Sequence, residues 1–285
     1  MISDYRCFFC FTKAYERLLE EGTLSASAKD NFTRDMAALY LKHCERFSAP
    51  YFSRDLHIAL NKYTNNPDPH REGKKLSNDL VLAMYNELKE KVQTSVNPFD
   101  TALRLAIAGN IIDFAVSKNY DLHATIDKVL YSHFAIDHSA ELKKAIAGAQ
   151  TILYLGDNNG EIVFDKLFIE TVGHPDVYFA VRGAPVINDV TLDDARYVGI
   201  DKVAKVISNG YDAPSTIVEH CSDEFRHIFE KADIVISKGQ GNLEGLLHRT
   251  QKEVYFMLMV KCNVIADALQ VNKGDFVVKK NSLER

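Results

Sequence analysis

Over the first 148 positions apolar residues recur at intervals of three and four, as in Tyr15, Leu18 and Leu19 and again in Met36, Leu39 and Tyr40. That period lines one face of an α-helix, and no segment there alternates convincingly as a strand would. Breaks are predicted at Glu21-Gly22, at the polar run YTNNPDPHREGKK (63 to 75) and at SVNPF (95 to 99), where proline and asparagine interrupt the helical pattern. About six helices joined by short loops are expected. From about residue 150 the pattern changes to short apolar runs: TILYLGD, DVYFAVRG, KVAKVISNG, DIVISKG, EVYFMLMV and DFVVKK. Amphipathic segments such as STIVEHCSDEFRHIFEKA separate them, as a sheet covered on both faces requires. The expected fold is therefore α/β: a doubly wound, mostly parallel, Rossmann-like sheet in a three-layer α/β/α arrangement, preceded by an all-helical domain. The division falls at a helical domain of residues 1–148 and an α/β domain of residues 149–285.

In open parallel sheets ligands bind beyond the carboxyl ends of the strands. The segments that follow the first five runs are GDNNGE (156 to 161), RGAPVIND (182 to 189), SNGYDAPST (208 to 216), SKGQGN (237 to 242) and VKCNVIAD (260 to 267). All are polar and rich in small residues. One such loop is weak evidence, because glycine and asparagine also serve turns and caps. Five along one sheet edge point to one site.

Composition narrows the class of function. With 34 Lys plus Arg against 39 Asp plus Glu the net charge is -5, which gives no reason to expect nucleic acid as a partner. The longest apolar stretch, YFMLMV before Lys261, is far short of the roughly 20 residues that span a bilayer, so no membrane partner is expected. Five cysteines, at 7, 10, 44, 221 and 262, are too few and too scattered for a disulfide framework. Together with an N-terminus lacking the marks of a secretory signal, they point to the cytoplasm. Nothing in the sequence sets an oligomeric state.

The carboxylates and amides of these loops are Asp157, Asn158 and Asp189 and, more loosely, Asp212 and Glu161. Oxygen donors without a histidine suit a hard divalent cation; alternatively Asp157 and Asn158 cap the following helix. Lys238 precedes Gly239, Gln240 and Gly241, a loop whose backbone N–H groups could approach an anion. Ser215 reads either as a helix cap or as a phosphate contact, and Arg182 as an anion contact or a surface pair. Asn110 and Asp113 share a face of the apolar helix TALRLAIAGNIIDFAVS, where either an internal partner or the cleft satisfies them. Asp68 reads as part of a solvated turn. Cys7 and Cys10 form a C-x-x-C pair without an evident second half, so packing on a helix face is the simpler reading, with His43 and Cys44 the nearest further donors in sequence.

NPDPHREGKK, GNIIDF, GDNNGEIVFDKL, RGAPVINDVTLDDA, NGYDAPST and ISKGQGNLEGL together resemble the damage-control phosphatase family, formerly a domain of unknown function. Within it the chain is most similar to the mostly prokaryotic group with an N-terminal C-x-x-C. The resemblance runs from Cys7 to at least Asn242. It implies a metal-dependent phosphatase whose partner is a phosphorylated small metabolite: a damaged or side-product phosphometabolite, a sugar phosphate or a cofactor phosphate. The implied cofactor is a divalent metal ion, manganese, magnesium, cobalt or nickel, on Asp157, Asn158 and Asp189. The resemblance also sets Lys238 and Asn242, and Asn110 and Asp113, in the family's motifs; with the loop readings of Arg182, Ser215, Gly239 and Gly241 these are the expected substrate contacts, and Asp157, Lys238 and Asp113 the expected catalytic residues. His70 stands where the family pattern suggests an aromatic residue. A methyltransferase using S-adenosylmethionine is the first rival, on the likeness of LYLGDNNGE to a cofactor loop, though it lacks the G-x-G core. A non-catalytic sensor of metal or phosphometabolite is the second.

Overall fold

The structure is a computed structural model that describes residues 4–109 and 122–281. The expected helical breaks appear in it. Helix α1 (Tyr5–Glu21) starts at Asp4, whose carboxylate accepts the Arg6 backbone N–H at 2.8 Å, and it stops at Gly22. Helix α2 (Ala26–His43) is capped by Ser25, and α3 (Ala49–Thr64) carries Pro50 in its first turn and ends on left-handed Asn65. Helices α4 (Arg71–Ala83), α5 (Tyr85–Thr94), α6 (Pro98–Ala108) and α7 (Leu122–Leu130) follow, so seven helices precede the first strand among the described residues.

These helices divide by what they bury. Helices α1 to α3 enclose their own aromatic core, where Phe52 is wholly buried with the Phe11 and Phe47 rings each 5.3 Å away. Truncating such a ring to alanine typically costs about 3–5 kcal/mol. Leu88 and Val92 of α5, the apolar face of α6, and Ile126 and Val129 of α7 instead share a core with the sheet.

The sheet has seven strands in the order β1-β7-β6-β5-β2-β3-β4. The six apolar runs become β2 (Ile152–Leu155), β3 (Val177–Val181), β4 (Lys205–Ser208), β5 (Ile234–Lys238), β6 (Val254–Met259) and β7 (Phe276–Lys280). All neighbours are parallel except β6 and β7. The expectation of no strand before residue 150 is corrected by β1 (Phe134–Asp137), which pairs with β7 at the sheet edge. Its side chains alternate between half-buried and exposed, and four such residues carry little hydrophobic signal. Helix α8 (Ser139–Gly148) follows it.

Period-two alternation sends Ile152, Tyr154, Ile234 and Ile236 to one face, against α6 and α9 (Glu161–Val172). Leu153, Leu155, Val235 and Phe256 point to the other, against α11 (Asp223–Lys231), α12 (Gly239–Leu246) and α13 (Asn263–Leu269). The segment expected as one helix from Ser215 yields a 3-10 turn (Val218–His220) and then α11, because Ser222 accepts the Phe225 N–H and starts the helix there. Helix α10 (Leu192–Val198) completes the crossover from β3 to β4. Chain direction away from the centre reverses between β2 and β5, which puts the fold's switch point at their carboxyl ends.

Candidate active site

Beyond β2 the chain turns through Asp157, Asn158 and Asn159 into α9, and beyond β3 it passes through Arg182 to Asp189. The two loops touch at a bridge between Asn158 and Asp189, and the Val190 N–H donates to the Asp157 carbonyl at 2.9 Å. This backbone pairing brings two carboxylates 32 residues apart in sequence to one place, both buried. The helical half holds the loop from the other side. Asn78 of α4 donates to Asn159 Oδ1 at 2.8 Å and accepts the Gly160 N–H at 2.6 Å. Lys74, also buried, bonds Asp68 at 2.7 Å and lies 3.5 Å from Asp194. Lys74 thus links Asp68, half-buried rather than in a solvated turn, to Asp194 of α10.

Burial pushes the Asp157 carboxyl well above its usual range, and repulsion from Glu161 and Asp189 adds to this, against opposition from Lys261 and Arg182. Asp189 is also pushed up by burial, with Arg182 the main opposing influence. A carboxylate pair that resists ionisation in its own environment gains from a cation. The donors here are oxygen alone, two carboxylates with the Asn158 amide beside them, and Gly239 has a positive φ of 74° that leaves room for one of them. A Cβ at Gly239 would lie 1.9 Å from Asp157 Oδ2. This donor chemistry and the space kept for it fit a hard divalent cation. Among the described residues no three His, Cys, Asp or Glu side chains already converge on one point. Arg182 Nε instead holds Asp189 at 2.6 Å, with its Nη2 3.6 Å from Asp157.

Asp157, Asn158, Asp189 and Gly241 line an open cleft of about 220 Å3. The helical half contributes Phe11, Pro50 and Ser53, and the loop after β6 contributes Lys261. Ser53 is buried, and its Oγ has no hydrogen-bond partner among the described residues.

Several residues expected around a substrate lie behind this lining. Lys238 continues the Ile234 and Ile236 face, so its side chain enters the layer between the sheet and α9. There its ammonium bonds the Ala106 carbonyl at 2.8 Å, Glu161 at 2.6 Å and Asp165, which occupies all three N–H donors. Burial alone would lower its pKa, but Asp165 and Glu161 more than reverse this, and Asp165 itself is pushed up to about 7 by burial despite Lys238.

Arg182 is not a surface pair: it is buried, holds Asp189 and donates from Nη1 to Asn242 Oδ1 at 2.9 Å, while its Nη2 has no hydrogen-bond partner among the described residues. Asn242, wholly buried, returns its amide to the Gly156 and Lys238 carbonyls and so staples the ends of β2 and β5. Ser215 donates to the Gly241 carbonyl at 2.7 Å, and Gly241 lets the Pro214 carbonyl approach where a Cβ would stand 2.2 Å away. Asn110 and Asp113 lie outside the described residues. Sequence reasoning missed Lys261 and Ser53. Only the place of Lys261 just past a strand end could have signalled it.

A model of the damage-control phosphatase ARMT1-like domain matches residues 3–277. The chain belongs to this family. It is 33% identical to the damage-control phosphatase PH1575 of Pyrococcus horikoshii over 99% of both chains. It is also 32% identical to a damage-control phosphatase of Archaeoglobus fulgidus over 79% of this chain and 80% of that one. The crystal structure of PH1575, described as a DUF89 family protein, superposes with a TM-score of 0.86 at 32% identity, covering 99% of this chain and all of that one. The family match extends beyond the sheet into α1, so it takes in the helical half that closes the cleft. None of the described helices is long and apolar enough to cross a membrane.

Proposed function

We propose that the protein is a metal-dependent phosphatase that hydrolyses phosphomonoesters of small metabolites, such as damaged or side-product phosphometabolites, sugar phosphates or cofactor phosphates. The observation that carries this reading is one cleft, at the switch point of the sheet, lined by Asp157, Asn158, Asp189 and Lys261. Membership in a family whose archaeal relatives are named phosphatases supports it.

Asp157, Asn158 and Asp189 would hold the cation, with manganese, magnesium, cobalt or nickel as the expected choices. When bound, such an ion supplies Lewis-acid stabilisation of charge on a phosphoryl oxygen. Lys261 binds the phosphoryl group as a second, compact positive charge. Arg182 keeps Asp189 oriented beside Asp157. Lys238 acts one step removed, by fixing Glu161 and Asp165 behind the Asp157 loop. The leaving group would lie toward the helical half, where Phe11, Pro50 and Ser53 line the cleft.

The test is a phosphate-release screen of the chelated protein, with sugar phosphates, nucleotides and cofactor phosphates and each divalent ion in turn. Turnover that appears only with an added ion supports the reading. Undiminished release in chelator contradicts the metal requirement, and no release from any phosphomonoester contradicts the phosphatase.

A further inference from the structure

The N-terminal cysteine pair meets a third thiol from the far end of the chain. The first turn of α1 is docked on α13 by Arg6, whose Nη2 bonds both Asp4 and Asp267 at 2.8 Å. Cys7 and Cys10, three apart, share a helix face. That face opens on a cavity of about 690 Å3, which Cys262 and Glu244 also line. Cys262 is the N-cap residue of α13, and Glu244 projects from α12. Gln240 links the latter two: its Nε2 lies 3.4 Å from Cys262 Sγ and 3.3 Å from Glu244 Oε1, while its Oε1 accepts the Lys261 N–H at 3.1 Å. His43 and Cys44, the further donors considered from sequence, are engaged elsewhere, on Asp55 and on the Leu41 carbonyl.

We propose that Cys7, Cys10 and Cys262, with Glu244 as fourth donor, form a second metal site, for a thiophilic divalent cation of the zinc class. Three sulfurs and one carboxylate make a closed tetrahedral set with Zn–S bonds of about 2.3 Å, whereas the oxygen donors at Asp157 and Asp189 suit a harder ion. The two sites therefore sort metals by ligand chemistry.

As with the oxygen donors, the side chains do not converge on one point among the described residues, and the open cavity they line leaves space for them to turn toward an ion. On binding, metal–sulfur bonds form, three thiol protons pass to the buffer, and no electrons move. Phe11, Gln240, Glu244 and Lys261 line both this cavity and the active-site cleft. The second ion would thus clamp α1 to the loop that carries Lys261. The inference does not depend on the phosphatase reading.

The experiment uses the full chain, reduced and stripped of metal, then titrated separately with cobalt and with zinc ions. Cobalt should give a thiolate-to-metal charge-transfer absorption that saturates at one equivalent. Zinc should protect three of the five cysteines from a thiol reagent, and a chelator should restore them. Both signals should persist in the Asp157→Ala/Asp189→Ala double variant, which separates this site from the oxygen site. They should be lost in Cys262→Ser and in Cys10→Ser, single-atom exchanges whose metal-free melting is compared with that of wild type. Should one variant fail to fold, the thiol count on wild type still decides. Absence of thiolate absorption, unchanged thiol reactivity, or a disulfide among the three with no zinc uptake after reduction would overturn the proposal.

Discussion

Two lysines stand at the carboxyl ends of adjacent parallel strands, and the chain uses them oppositely. Lys238 closes β5 in step with Ile234 and Ile236, so strand alternation drives it into the layer beneath α9, where two carboxylates and a carbonyl consume its donors. Lys261 lies two residues past the end of β6, beyond the reach of alternation, and lines the cleft with Asp157 and Asp189. Position along a sheet edge therefore does not say which cation faces the cleft. The pleat decides for a residue still in the strand, and the loop decides for one that has left it.

The largest expected effect in this comparison is on stability. Lys238→Ala leaves Glu161 and Asp165 buried without their cation, which typically costs about 3–5 kcal/mol. Denaturant unfolding should show this as a lowered midpoint, and a midpoint equal to that of wild type would mean the buried triad contributes nothing.

Lys261→Ala should do the reverse. Loss of one preorganised charge commonly lowers kcat by roughly a hundredfold to a thousandfold, with the melting temperature nearly unchanged. Steady-state kinetics at saturating metal read this, and full activity in the variant would remove Lys261 from the chemistry.

Gly239→Ala strains a left-handed position by about 1–2 kcal/mol and pushes its Cβ into Asp157. It should weaken manganese affinity more than it lowers stability, whereas unaltered affinity would show that Asp157 can move aside freely.

Protons should compete with metal in a direction set by burial. Because the folded-state pKa values of Asp157 and Asp189 are raised, their contribution to the metal-free fold is present in acid and lost as pH rises from the ordinary carboxylate range through those raised values. Melting curves should show the metal-free protein weakening over that window, with the gain from added metal growing as pH rises. The smallest effect is expected of Ser53→Ala, a several-fold rise in KM with kcat retained, as suits loss of one hydrogen bond worth about 1 kcal/mol.

The sequence carries some of these distinctions and hides others. Apolar runs mark β2, β3, β5 and β6 because strands buried on both faces leave few polar positions to confuse the pattern, whereas the edge strand β4 is signalled by Val206 and Ile207 alone. Strand β1 escapes because an edge strand with one half-exposed face has no such signature. The Asp157 and Asp189 loops are legible from their small polar residues after strands. The inward turn of Lys238 is written in the alternation of IVISK, yet a lysine among small residues reads more readily as an anion contact. The meeting of Cys7, Cys10 and Cys262 has no sequence signal, since it arises from α1 docking on α13 across more than 250 residues.

Whether Asp157 and Asp189 are the oxygen donors of one cation is tested most directly by a calorimetric titration of manganese into the chelated protein. The wild type should show a saturable site that disappears in Asp157→Ala and in Asp189→Ala, while both variants still melt cooperatively. Equal manganese binding by all three proteins would contradict that assignment.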